Sequence, residues 1–264
     1  MRSLQSIRRT SLGLRRCTAD AFFFFRRQRK EFMKNYLTSF KSLTKFERSL
    51  WLTSLAVTLL SYLLSYFFSG NGNLLSLLAS LIGVTALIFV AKGHVLGQLL
   101  TVVFAVFYGI ISVIFTYYGE MITYLFMTAP MAVVAAVEWI KNPYKDTQEV
   151  KVHRVSVRQL AVMTVSAVLV TVLFYYILKA LDTANLFFST ISITTSFVAS
   201  YLTFLRSPYY AIGYSANDVV LIILWVLASM EDISYLPMVA CFVMFLFNDL
   251  YGFYNWKRMQ KRQK

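Results

Sequence analysis

The sequence predicts an all-α integral membrane protein of eight transmembrane helices: one extra N-terminal helix, then a 3+1+3 parallel pseudo-repeat. Three observations predict it. The chain of 264 residues is 58% hydrophobic with a mean hydropathy of +0.60 and only 14% charged residues, whereas a soluble domain carries about 25%. Its apolar residues fall in continuous runs, not amphipathic stripes, so lipid must cover much of the surface. Its net charge of +14 is concentrated in flanks and loops, which membrane topology explains more simply than nucleic-acid binding does.

Eight runs approach or reach the ~20 residues needed to cross ~30 Å of hydrocarbon. They cover 49–69, 74–91, 95–118, 120–140, 158–180, 184–205, 208–230 and 234–256. The second, NLLSLLASLIGVTALIFV, is on the short side. The chain thus divides into a basic cytoplasmic segment, 1–48, a transmembrane domain, 49–256, and a basic cytoplasmic tail, 257–264. Residues 1–32 place Arg pairs around the run Phe22–Phe25. That run is too short for a signal-peptide core or a span. It suits an amphipathic segment on anionic lipid, a basic disordered tail, or an upstream start with Met33 as the true first residue.

Orientation follows from Lys and Arg. With both termini in the cytoplasm, 25 of the 26 basic residues lie inside and only Lys179 lies outside, a strong positive-inside pattern. The outer turns hold Glu120, Asp182, Glu231 and Asp232 instead. Trp51, Trp139 and Trp256 fall at span ends, where tryptophan anchors a helix in the interface. Glu138, beside Trp139, is expected to be hydrated. A multi-pass protein of the cell membrane results.

Spans two to four and six to eight form two triplets joined by the fifth helix, so both triplets run in the same direction. Asn73 and Asn185 open the halves, Glu120 and Asp232 lie in matching outer turns, and Lys92 and Arg206 in matching inner turns. Pro130-Met131 is echoed by Pro237-Met238, and Trp139-Ile-Lys by Trp256-Lys-Arg. Parallel repeats of this kind are a transporter architecture, with the site between the halves near the midplane.

Polar residues inside apolar runs are the site candidates. Asn217-Asp218 and Asn248-Asp249 sit in spans seven and eight. A carboxyl at a helix centre costs about 2.5–3.5 kcal/mol on insertion scales, so each needs protein, water or substrate beside it. Tyr210, Tyr214 and Asn217 recur at i, i+4 and i+7 and can share a helix face; Asp218 is turned toward a neighbouring helix. Span six carries a stripe of Ser189, Ser192, Ser196, Ser200 and Thr203 with Thr195 beside it. The stripe reads as a hydrogen-bonding wall or as close packing by small residues. Span three supplies Gln98, nearer the inner end, with Thr101 and Tyr108. For Asp249 the alternative is an ion pair with Arg206 or Lys257; for Asn217 and Asn248 it is an interhelical hydrogen bond.

Several segments together resemble the PnuC family of vitamin transporters: SITTSFVASYLTFLR, SPYYAIGYSANDVVLIILW, FNDLYGFYNWKRMQ, and GQLLTVVFAVFYGIISVIFTYYGE followed by PMAVVAAVEWIKNP. The resemblance covers most of 75–260. It implies the 3+1+3 fold, facilitated diffusion of nicotinamide riboside, trapping by a cytoplasmic kinase, and a homotrimer. Relatives carry thiamine or riboflavin. The better-known branch has Trp before the Asn of span seven and often Gln after Pro-Met in span four, where this chain has Tyr209, Tyr210, Tyr214 and Ala132. A flat cationic pyridinium suits aromatic faces, ribose and amide suit Asn, Gln, Ser and Thr, and a carboxylate offsets the ring charge. Those needs match Tyr210, Tyr214, Tyr108, Asn217, Asn248, Gln98, Ser192, Thr195, Ser196, Asp218 and Asp249.

Enzyme readings find little support. His94 and His153 fall in inner loops far from Cys17 and Cys241, so no zinc cluster forms. No G-x-x-x-x-G-K-[ST], G-x-S-x-G or H-E-x-x-H is present, so no cofactor or ATP use is expected. An intramembrane hydrolase using Asp218 and Asp249 and a SWEET-like sugar carrier are the alternatives.

Overall fold

A computed structural model describes residues 39–70, 74–114, 117–145, 147–183 and 185–264. The expectations placed on residues 1–32 and on Asn73 lie outside the described residues. Among the described residues, eight helices are long and apolar enough to cross a membrane. They are α1 (Lys45–Ser69), α2 (Leu74–Ala91), α3 (Val95–Ile114), α4 (Tyr118–Lys141), α5 (Val157–Ala180), α6 (Leu186–Phe204), α7 (Tyr210–Glu231) and α8 (Leu236–Arg262). The order matches the eight runs read from hydropathy. The last helix differs at its end. Lys257, Arg258, Lys261 and Arg262 are good helix formers and suit the negative end of the dipole, so α8 continues through the basic residues to Arg262.

The chain divides into two units at Arg48. In the first, Thr44 and Glu47 form a capping box at the start of α1. The Thr44 N–H donates to Glu47 Oε2 at 2.7 Å and the Glu47 N–H to Thr44 Oγ1 at 3.2 Å, which satisfies two donors at the helix start. The second unit, Ser49–Lys264, contains the rest of the bundle. Ser156 and Gln159 cap α5 in the same way.

Six helices close into a ring. α2 packs on α3, α3 on α4, α4 on α6, α6 on α7, α7 on α8, and α8 back on α2. α5 packs against the outside of α6 and exposes Leu160, Val165, Leu169, Leu173 and Tyr176. A surface of this kind needs lipid beside it. α1 also exposes most of its apolar residues. It is tied to the ring by polar contacts: Trp51 Nε1 donates to Thr85 Oγ1 at 3.0 Å, and Asn248 Nδ2 donates to Ser54 Oγ at 3.1 Å. Close approach inside the ring depends on Gly213, where a side chain would meet the Ala199 backbone at 2.9 Å.

α4 is not uniform. Between Thr123 and Thr128 it widens into a π-helical turn. Pro130 follows two residues later; it has no N–H to donate, and its ring conflicts with the carbonyl four residues back. A widened turn relieves that conflict, and such turns recur at functional sites.

Candidate functional site

Inside the ring lies a cavity to which all six helices contribute. The polar wall is Gln98 and Thr101 from α3, Thr128 from α4, Ser196 from α6, and Tyr214, Asn217 and Asp218 from α7, with Asp249 from α8. The aromatic wall is Phe104, Tyr124 and Phe245, and α2 supplies Gly83, Ala86, Leu87 and Val90. No Lys, Arg or His is among the lining residues. The cavity accepts water-sized groups over about 50 Å³. That is room for a few waters and well below the ~300 Å³ at which small-molecule sites begin. The cavity is therefore contracted, and a ligand larger than a few waters requires its walls to part.

Each polar wall group is positioned by the sequence around it. Asn217 Oδ1 accepts from Ser192 Oγ at 3.2 Å and from Thr195 Oγ1 at 2.9 Å. The amide oxygen is thus occupied by α6, which leaves the Nδ2 protons for the cavity. Tyr214 shares a hydrogen bond of 3.0 Å with Ser200. The Asp218 and Asp249 side chains meet across α7 and α8. Two cavity-facing polar atoms, Asp218 Oδ2 and Thr128 Oγ1, are buried without a hydrogen-bond partner. Buried polar atoms are normally satisfied, so both are candidates for a ligand or water.

Of the eleven residues proposed from sequence, six line the cavity: Gln98, Ser196, Tyr214, Asn217, Asp218 and Asp249. Asp218, expected to face a neighbouring helix, meets Asp249 of α8 and also lines the cavity with Asn217. Five lie behind the wall. Ser192 and Thr195 hold Asn217, so most of the α6 stripe joins helices and only Ser196 reaches the cavity. Tyr108 is fully buried, stacks on Phe104 at 5.5 Å, and accepts a hydrogen bond from Trp225 Nε1 at 2.8 Å. Asn248 binds Ser54 and the Met244 carbonyl; it joins α8 to α1. Tyr210 packs edge-on against Trp256 at 4.9 Å. Asp249 pairs with neither proposed base. Arg206 bonds Glu138 at 3.4 Å, and Lys257 donates to Tyr209 Oη at 3.1 Å. Glu138 is therefore an ion-pair partner and not merely a hydrated boundary residue.

Sequence reasoning missed Phe104, Tyr124, Thr128 and Phe245. Phenylalanines inside apolar runs are indistinguishable from lipid-facing ones. Tyr124 and Thr128 carried one usable signal, a four-residue step from Glu120 just before Pro130. Two further readings are corrected. Glu120 is 3% exposed and does not project into an outer turn. Trp139 and Trp256 are 1% and 0% exposed; they are not interface anchors. Trp139 Nε1 donates from α4 to the Thr203 carbonyl of α6 at 3.0 Å, and Trp256 Nε1 from α8 to the Val90 carbonyl of α2 at 2.9 Å. Their rings lie 5.3 Å apart. With Tyr210 and Val90 they belong to one buried cluster, and Phe104, Tyr108, Trp225 and Phe242 belong to a second.

Three comparisons bear on this arrangement. Residues 73–258 match the nicotinamide mononucleotide transporter family. A nicotinamide riboside transporter PnuC from Neisseria mucosa is 28% identical over 243 residues, covering 88% of this chain and 92% of that protein. The crystal structure of a vitamin B3 transporter PnuC superposes with a TM-score of 0.72 at 26% identity, covering 84% of this chain and 95% of that one.

Proposed function

This chain belongs to the nicotinamide mononucleotide transporter family, and from that premise we propose that it carries nicotinamide riboside across the cell membrane by facilitated diffusion. It is a multi-pass membrane transporter and not an enzyme. The choice of riboside rests on one observation. The cavity presents two carboxyl groups, Asp218 and Asp249, beside four aromatic rings, and among the described residues no basic side chain lines it. A flat cation finds ring faces and counter-charge there. A phosphate, with about two negative charges and three acceptor oxygens, would face two acids and no Arg or Lys to receive it. The mononucleotide in the family's name is therefore disfavoured relative to the unphosphorylated riboside. Gln98, Thr101, Ser196 and Asn217 supply the donors and acceptors that a ribose and an amide require.

The rest of the reading goes with it. A cytoplasmic kinase traps the riboside by adding the phosphate that the cavity rejects. Both termini face the cytoplasm, 1–48 and 257–264 are cytoplasmic flanks, and the copies assemble as trimers. The helix triplets α2–α4 and α6–α8 act as two halves moving about the cavity. The matched α4–α6 and α8–α2 contacts, each bridged by a tryptophan, support that division. Thiamine is the second reading, because it too is a flat organic cation.

Calorimetric titration of the purified protein tests the proposal. Riboside binding is expected to be at least tenfold tighter than mononucleotide binding. Asp218→Asn is expected to weaken the riboside more than its neutral dihydro form. Tight mononucleotide binding would overturn the charge argument. Thiamine or riboflavin binding without riboside binding would overturn the substrate.

A further inference from the structure

A third carboxyl lies buried in the same ring and outside the cavity. Glu120 sits in the first turn of α4, 3% exposed, and neither carboxyl oxygen has a hydrogen-bond partner. An uncompensated buried charge costs several kcal/mol. An ionisable side chain inside a membrane span is retained for a partner. The Ser192 hydroxyl interacts with the carboxyl, but its single proton is directed at Asn217 Oδ1, 3.2 Å away. Ser192 therefore stands between Glu120 and the cavity amide.

Glu120 shares a face of α4 with the cavity. Tyr124 and Thr128 follow it at four-residue steps, and all three are buried, at 3%, 6% and 5% exposure. The π-helical turn from Thr123 to Thr128 sets the lower part of this face. Tyr124 and Thr128 line the cavity. Glu120 lies about 6 Å along the axis from Tyr124, at 1.5 Å per residue. Aromatic rings border the same path. Tyr124 packs on Tyr108 at 4.2 Å, Tyr108 on Trp225 at 6.1 Å, and Trp225 on Tyr117 at 5.2 Å. Tyr117 is only partly buried. Ring faces thus lead from a half-exposed position to the cavity, with one carboxyl beside them. Cation–π attraction and a desolvated carboxylate select the same kind of ligand.

We propose that Glu120 is a second binding site for a flat organic cation, a transit position between the Tyr117 end of the bundle and the central cavity. This rests on the riboside reading above. A cation pausing there has Glu120 as counter-charge and Tyr108 and Tyr124 as ring faces, and passes on to Asp218 and Asp249. Movement of the cation also frees the Ser192 proton to turn from Asn217 toward Glu120.

The experiment compares uptake of nicotinamide riboside, a cation, with uptake of its neutral dihydro form in proteoliposomes. Glu120→Gln keeps the size and removes the charge. It is expected to lower the initial rate for the cation at least tenfold, to change the neutral form less than twofold, and to leave calorimetric affinity at the central cavity within about threefold. Glu120→Asp is expected to restore the preference for the cation, and it supplies the test should Glu120→Gln fold poorly. Equal losses for both substrates would assign Glu120 a structural role and overturn the proposal, as would no loss for either. A wild-type protein that carries neither substrate would defeat the riboside reading itself, and the transit site with it.

Discussion

Asn217→Ala is the substitution that separates a binding role from a packing role most cleanly. Asn217 Oδ1 accepts from Ser192 and Thr195. When the amide is removed, Thr195 still has the Ile191 carbonyl at 2.9 Å and the Ser192 carbonyl at 3.0 Å. One hydroxyl, that of Ser192, loses its acceptor. At about 1 kcal/mol per hydrogen bond, the folding cost is close to 1 kcal/mol, or a fall of about 2–4 °C in Tm. The cost to binding is larger. The Nδ2 protons are the free end of the amide, and a ligand group left unpaired in a buried site costs about 1–3 kcal/mol. That converts to about five- to 160-fold in Kd. Calorimetric titration with riboside measures the second quantity and a melting curve in detergent the first. Unchanged affinity would refute the placement of the site. A collapse in melting temperature with a proportionate loss of binding would make Asn217 a helix-joining residue.

Three other outcomes follow from the geometry. Tyr210→Ala should act on stability, because the ring is buried against Trp256; truncation of a buried aromatic costs about 3–5 kcal/mol. Tyr210→Trp should also destabilise, by about 1–3 kcal/mol, because Tyr210 Oη already fills the space over Gly252; melting curves check both. His94, in the α2–α3 turn, is held in its neutral form. Burial pushes its pKa below the ordinary value, the Gln148 hydrogen bond opposes this and Lys92 adds to it. Its Nδ1 accepts from the Leu96 N–H and its Nε2 meets Gln148 Oε1 at 2.7 Å, so a proton on Nδ1 would break a bond. A lowered folded pKa gives stability that is present above about pH 6.5 and lost as pH falls through the folded value. Wild-type Tm should therefore fall with acidification, and His94→Gln should flatten that dependence. For topology, a cysteine at exposed Glu231 should be labelled from outside the cell and one at exposed Thr147 only after the cell is opened; labelling of Thr147 from outside would reverse the orientation.

The fold was legible because its cause is crude. A bilayer demands long apolar helices, and eight runs of the right length mark them. The pair Asn217-Asp218 was legible for the converse reason: polar groups inside such a run need a partner, and the cavity holds both. Asn248 met the same sequence criterion and proved to be a link between helices, because sequence gives the need for a partner and not its identity. Phe104 and Phe245 could not be told from lipid-facing residues without the ring closure that turns them inward. Trp139 and Trp256 sat where interface anchors sit; only the α4–α6 and α8–α2 contacts show that they point into the protein. Glu120 was misplaced because a carboxyl beside a turn normally faces water, and here Gly119 and Glu120 turn inward while Tyr118 stays exposed.

The central claim is that this protein equilibrates an unphosphorylated flat cation through the Asp218–Asp249 cavity. Uptake of labelled nicotinamide riboside into proteoliposomes, with no ATP and no imposed ion gradient, tests it most directly. The expected result is a plateau at equal internal and external riboside concentrations, with mononucleotide uptake at the level of protein-free vesicles. Absence of riboside uptake, accumulation above the external concentration, or equal uptake of the mononucleotide would contradict it.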